Sequence, residues 1–228
     1  MLAVNDDKKI CIFSKGKTGT TSLQNLLEDN TNWKTVGEAE VDWYGIGPKH
    51  FAGMSRQEEI VEYLDKQGYN LYFIIRNPWK RYVSGFKEIL QDYISGIAPD
   101  DEFLPLWEKV VYDKTRLIDY IDRLFYLTQF ICDGKQQEKH NWGRAFTLHT
   151  NYHTCNYLDF CEQFKATYIN NSNLDDFMVQ LGLEPGVRMN TSKPRDIDSV
   201  RDALINCKHY YLIEKYLQPE IARYENIM

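Results

Sequence analysis

Two short segments of this 228-residue chain carry the residue types that hold phosphate. The first, Lys15-Gly16-Lys17-Thr18-Gly19-Thr20-Thr21-Ser22, joins lysine ammoniums and a run of hydroxyls to a glycine turn. Main-chain N–H groups on such a turn, backed by a helix N-terminus, suit an anion. The second, Arg76-Asn77-Pro78-Trp79-Lys80-Arg81-Tyr82-Val83-Ser84, opens with an arginine able to grip a phosphate through paired hydrogen bonds. Its serine follows about two helical turns later and adds a hydroxyl. Each segment alone has a plainer reading, as an ordinary β–α turn with capping hydroxyls and as a helix-start signal beside a solvated arginine. Gly16-Lys17-Thr18 also copies the end of a Walker loop, but the first glycine of that motif would fall at Cys11, inside a strand.

The elements around these segments give them a common placement. Lys9 to Ser14 is an apolar run that fits a buried parallel strand, and Leu23, Leu26 and Leu27 mark one face of a helix behind the glycine turn. Thr31 to Gly53 reads mostly as loop, with a short strand near Lys34-Thr35-Val36. Ser55-Arg56-Gln57-Glu58 is a capping box, and Ile60, Val61 and Leu64 carry a helix to about Gln67, which Gly68 ends. Tyr69 to Ile75 is the strongest strand pattern. Asn77 then caps a helix that has proline at its first position and runs to about Ile94. Helix dominates from Leu104 to Ile131. Lys165 to Ile169 reads as a strand, Leu174 to Leu181 as a helix, and Asp198–Asn206 and His209–Asn226 as two more. The pattern predicts a P-loop-like α/β fold: a parallel β-sheet flanked by helices, with a largely helical second half, over a single domain of residues 1–228. Ligands of such sheets gather at the carboxyl ends of the strands, where both segments fall.

A hydrophobic fraction of 43% and an aromatic fraction of 14% describe a folded globular chain. The net charge of −6 argues against a general nucleic-acid binder but leaves room for a local basic pocket. No stretch has the length of a membrane span, and Met1 to Lys9 is too polar for a secretory signal, so the chain reads as soluble and cytoplasmic. Cys11, Cys132, Cys155, Cys161 and Cys207 lack metal-ligand spacing and are expected to be buried free thiols; no metal site is visible. The sequons at Asn170 and Asn190 have no export signal to support them.

Together the two phosphate segments resemble the donor-binding motifs of the sulfotransferases that use 3′-phosphoadenosine 5′-phosphosulfate. Lys17 to Ser22 is similar to the 5′-phosphosulfate loop of that family, with Gly16 in place of its usual proline. Arg76-Asn77-Pro78, followed by Arg81 and Ser84, is similar to its 3′-phosphate motif. Tyr216 to Tyr224 resembles the ending of carbohydrate-modifying members, with Glu220 where they carry aspartate, and Asn190-Thr191-Ser192-Lys193 resembles their late donor-closing segment.

The resemblance implies sulfuryl transfer to an acceptor hydroxyl, on a carbohydrate, without a metal. It implies donor contacts from Lys15, Gly16, Lys17, Thr18, Gly19, Thr20, Thr21, Ser22, Arg76, Ser84, Asn190, Ser192 and Lys193, with Lys17 acting on the leaving oxygen. Lys49-His50 matches the position of a family element that supplies the general base, which makes His50 the favoured candidate. Glu38, Glu40, His149 and His153 stay open as rivals. It also opens a second compartment, the Golgi lumen, for a chain whose anchor has been removed. A nucleoside or small-molecule kinase and a catalytically silent nucleotide- or glycan-binding protein are the alternative readings, and fold alone does not choose among them.

Overall fold

Neither Ile10-Cys11-Ile12-Phe13 nor Leu71-Tyr72-Phe73-Ile74-Ile75 alternates apolar with polar residues, and strands of that kind are buried on both faces. The computed structural model describes residues 1–14, 23–24, 27, 32–36, 56–97, 103–132, 157–184 and 193–228. The chain divides into two compact units, Met1–Arg76 with Asp159–Thr191, and Asn77–Leu158 with Ser192–Met228.

The first unit is built on a five-stranded sheet of β1 (Leu2–Asn5), β2 (Ile10–Ser14), β3 (Lys34–Val36), β4 (Asn70–Ile75) and β5 (Thr167–Asn170), in the order β3-β1-β2-β4-β5. β2 runs parallel to β4 from Ile10↔Asn70 to Ser14↔Ile74, and β4 runs parallel to β5. A parallel pair needs a crossover, and helix α1 (Arg56–Lys66) lies in the chain between β2 and β4 and packs on both. Its Ile60, Val61 and Leu64 are buried, as their spacing predicts.

The expected parallel sheet is in fact mixed. β1 pairs antiparallel with both β2 and β3. The cause is local: a four-residue turn, Asp6–Lys9, returns the chain directly from β1 to β2, and so short a connection permits only an antiparallel pair. β1 itself was not anticipated, because its four residues are too few to show a period.

Apolar side chains cover both faces of the sheet. Ile10, Ile12 and Ile74 form one cluster with Leu23, Leu27, Leu174, Phe177 and Met178. Leu23, Gln24 and Leu27 are helical, so a helix follows β2 in the chain as expected. A separate set of rings, Phe13, Phe73, Phe160 and Phe164, packs at centroid distances from 4.9 to 6.1 Å. α1 ends in a Schellman motif: Gly68 at φ +77° donates to the Asp65 carbonyl and Tyr69 to that of Leu64. Helix α6 (Leu174–Gln180), which follows α5 (Tyr157–Cys161) and β5, ends the same way at Gly182.

The second unit is helical. α2 (Pro78–Ile97) packs against α3 (Phe103–Val111), α4 (Lys114–Cys132), α7 (Pro194–Asn206) and α8 (Tyr210–Ile227). Its apolar stripe of Tyr82, Val83, Phe86, Ile89, Leu90 and Ile94 enters a core shared with those helices. The helical stretch expected from Leu104 to Ile131 is divided at Tyr112-Asp113. There the Asp113 carboxylate accepts from the Arg116 N–H at 3.1 Å and starts α4 as a new helix. Cys11, Cys161 and Cys207 are buried free thiols, as expected; burial pushes the Cys11 thiol far above its ordinary pKa.

Candidate functional site

The two phosphate-type segments begin where hydrogen-bonded neighbours in the sheet end. β2 stops at Ser14, one residue before Lys15, and β4 stops at Ile75, one residue before Arg76. Because the strands are parallel and Ser14 is in register with Ile74, both segments leave the same edge of the sheet. Adjacent strands lie about 4.8 Å apart. The Arg76 side chain is half-buried at that edge. Lys15 to Ser22 lie outside the described residues, as do His50, Glu38, Glu40, His149, His153, Asn190 and Ser192.

Immediately after Arg76, the start of α2 is set by side-chain chemistry. Asn77 Oδ1 accepts from the Lys80 N–H at 3.1 Å, and the Asn77 carbonyl accepts from the Arg81 N–H at 2.9 Å. With Pro78 at the first helical position, the cap fixes where the helix begins and thereby the residue at which β4 hands over to it. Ser84 is half-buried about two turns into α2.

Arg81 has a different setting. Its guanidinium is 2% exposed and donates from Nη2 to Glu220 Oε1 at 3.0 Å, with the Tyr157 ring centroid 5.6 Å from its central carbon. An arginine in the second phosphate segment and the acidic residue of the α8 stretch are therefore one buried ion pair. The pairing leaves Arg81 committed to a protein carboxylate. Nothing in the local sequence announced this bond, since the partners are 139 residues apart.

Sequence reasoning also missed a second polar cluster in the helical unit. Asp196, 5% exposed in the first turn of α7, accepts from Trp107 Nε1 at 3.2 Å and from the Tyr112 hydroxyl at 2.7 Å. Lys87 lies 5.9 Å from the centroid of the Trp107 ring and donates to Gln91 Oε1 at 2.7 Å. Burial holds the Lys87 ammonium below its ordinary pKa, and the Asp196 carboxylate opposes that shift. The hydrogen bond to Asp196 raises the Tyr112 hydroxyl pKa. These contacts tie the first turn of α7 to α2 and α3, and so anchor the helix that follows Lys193. Lys193 itself is exposed and pairs with Glu108 at 3.6 Å. The Trp79 ring is stacked on Tyr82 within the protein, with centroids 6.0 Å apart and 7° between planes.

Among the described residues no group of three or more His, Cys, Asp or Glu side chains is placed to hold a metal ion, and no helix is long and apolar enough to cross a membrane. No family model, curated protein or solved structure matches the chain.

Proposed function

We propose that this protein is a sulfotransferase that uses 3′-phosphoadenosine 5′-phosphosulfate, held at the carboxyl edge of a P-loop-like sheet, to sulfate a hydroxyl on a carbohydrate. The observation that carries the reading is the common exit: the glycine-rich segment and the Arg76 segment leave the same edge of the sheet from neighbouring parallel strands. That edge is where open α/β sheets take their ligands, and a donor with phosphate at both the 5′ and the 3′ position needs two anion-binding segments side by side.

In this reading the acceptor oxygen forms a bond to sulfur as the bond from sulfur to the bridging oxygen breaks. Adenosine 3′,5′-bisphosphate leaves, and the acceptor proton passes to a general base. Lys17 neutralises the charge that develops on the bridging oxygen. Arg76 grips the 3′-phosphate, which separates this donor from ordinary adenine nucleotides. His50 is the first candidate for the base, ahead of Glu38, Glu40, His149 and His153.

Calorimetric titration with adenosine 3′,5′-bisphosphate tests the proposal, with adenosine 5′-phosphate and ATP plus magnesium alongside. The bisphosphate is expected to bind tightest, and Arg76→Ala to weaken it about ten- to a hundred-fold while leaving the 5′-phosphate nearly unchanged. Preference for ATP plus magnesium, or an equal loss for both nucleotides in Arg76→Ala, overturns it.

A further inference from the structure

At the opposite ends of β2 and β4 from the phosphate segments, a groove of about 500 Å³ opens beside the β1–β2 turn. Asp6, Lys9, Lys34, Tyr63, Gln67 and Tyr69 line it. Its charges are unevenly balanced. The Asp6 carboxylate is fully engaged, accepting from Lys34 Nζ on one oxygen and from the Tyr69 hydroxyl at 2.9 Å on the other. The Lys34 ammonium holds Asp6 below the ordinary carboxylate range, while burial and then Asp6 raise the Tyr69 hydroxyl to about 12. Lys34 is thus neutralised. The Lys9 ammonium has no carboxylate partner among the described residues and reaches only the Gln67 carbonyl, at 3.5 Å.

Lys9 is also the one non-glycine residue at positive φ among the described residues, at +49°. The turn needs a left-handed residue at its last position, where glycine or asparagine fits with less strain. The main chain there is held by the Lys9 carbonyl accepting from the Asn70 N–H at 2.8 Å. Lys9 thus combines an uncommon backbone conformation with an exposed ammonium whose bond to a carbonyl is long. Beside it, Tyr63 lines the groove and leaves 38% of its surface exposed.

We propose that this groove binds a small carboxylate carried on a six-membered ring, with the carboxylate accepting from Lys9 Nζ and the ring lying on Tyr63. One ammonium without a carboxylate partner among the described residues matches one negative charge, which favours a carboxylate over a phosphate dianion. A groove of this volume holds a ring-sized ligand. The site is independent of the sulfotransferase reading, and two sources share its chemistry, aromatic acids and sugar acids.

Saturation-transfer NMR on the intact chain, with benzoate, glucuronate and the ringless acetate as probes, tests it. Either ring acid binding while acetate does not supports the proposal, and the stronger of the two identifies the source. Tyr63→Ala is expected to weaken that binding about tenfold. Lys9→Gly is the decisive variant, because it suits the backbone. It is expected to raise the melting temperature by about 2–4 °C while abolishing ring-acid binding. Acetate binding as well as the ring acids, no binding by any probe, or unchanged binding in Lys9→Gly overturns the proposal.

Discussion

A guanidinium with 2% of its side chain exposed depends on its carboxylate, and Arg81 has Glu220 for that purpose. Removing one partner of such a pair leaves the other charged and desolvated, which costs about 3–5 kcal/mol. Glu220→Ala is therefore expected to lower the urea unfolding free energy by about that amount, whereas Arg81→Met combined with Glu220→Leu recovers most of it. A double variant no better than the single one would show that the two side chains are not coupled. A smaller effect of opposite origin sits at His209, whose Nε2 lies 3.7 Å from Asp122 Oδ1. Burial holds its imidazole below the ordinary value of 6.5, against the pull of Asp122. The unfolded chain therefore takes up the proton first as pH falls. The stabilising contribution is complete above 6.5 and is lost as pH drops through the depressed folded value. Unfolding free energies measured between about pH 7 and 5 are expected to fall less steeply in His209→Gln than in the parent chain. Residues whose role is local were readable in advance: Asn77 and Pro78 cap and begin α2 because capping chemistry spans only a few positions. Arg81 was not readable as an ion-pair partner, because the chain between it and Glu220 carries no record of the pairing.

Among the elements, the best-anticipated boundaries are those set by backbone conformation. Gly68, at φ +77° with nothing within 4 Å of an added Cβ, ends α1 for conformational and not steric reasons. Gly68→Ala is therefore expected to cost about 1–2 kcal/mol through the left-handed backbone alone, and Gly68→Asn less. Chemical denaturation of the two variants checks this, and equal losses would point to a contact instead. β2, β4 and the helix after Asn77 were legible for a related reason, since long apolar runs and capping signals both act over short distances. The strand at Lys34–Val36 was legible, but β1 and its antiparallel pairings were not. Leu2 to Asn5 is too short to show a period, and its direction comes from the length of the turn after it. The same turn carries Lys9 at φ +49°, where residue type predicts glycine, so local propensity misleads at the residue for which a role is proposed.

For the whole molecule, each unit is built from two separate stretches of chain, because Asp159–Thr191 returns to the unit begun by Met1–Arg76. A fragment of residues 1–76 keeps β2 and β4 but lacks β5 and the Leu174, Phe177 and Met178 side chains that cover Ile10, Ile12 and Ile74. That fragment is expected not to fold alone and to associate through its open β4 edge, while a peptide of residues 159–191 added in trans restores a cooperative transition in circular dichroism. Cooperative unfolding of residues 1–76 alone would refute this. Such interleaving hides architecture from a linear reading: β5 was recognised as a strand, but nothing in residues 165–169 says which strand it joins. The Arg81–Glu220 bond extends the same property into the time of synthesis. At about 5–20 residues per second, the 139 positions between the two partners take roughly 7–30 s to translate. Throughout that interval α2 exists with a guanidinium that has not yet met its carboxylate and must stay hydrated. The helical unit can bury this part of α2 only after Glu220 has emerged from the ribosome, so nascent chains stalled before that point should present an unfinished helix to proteases and chaperones.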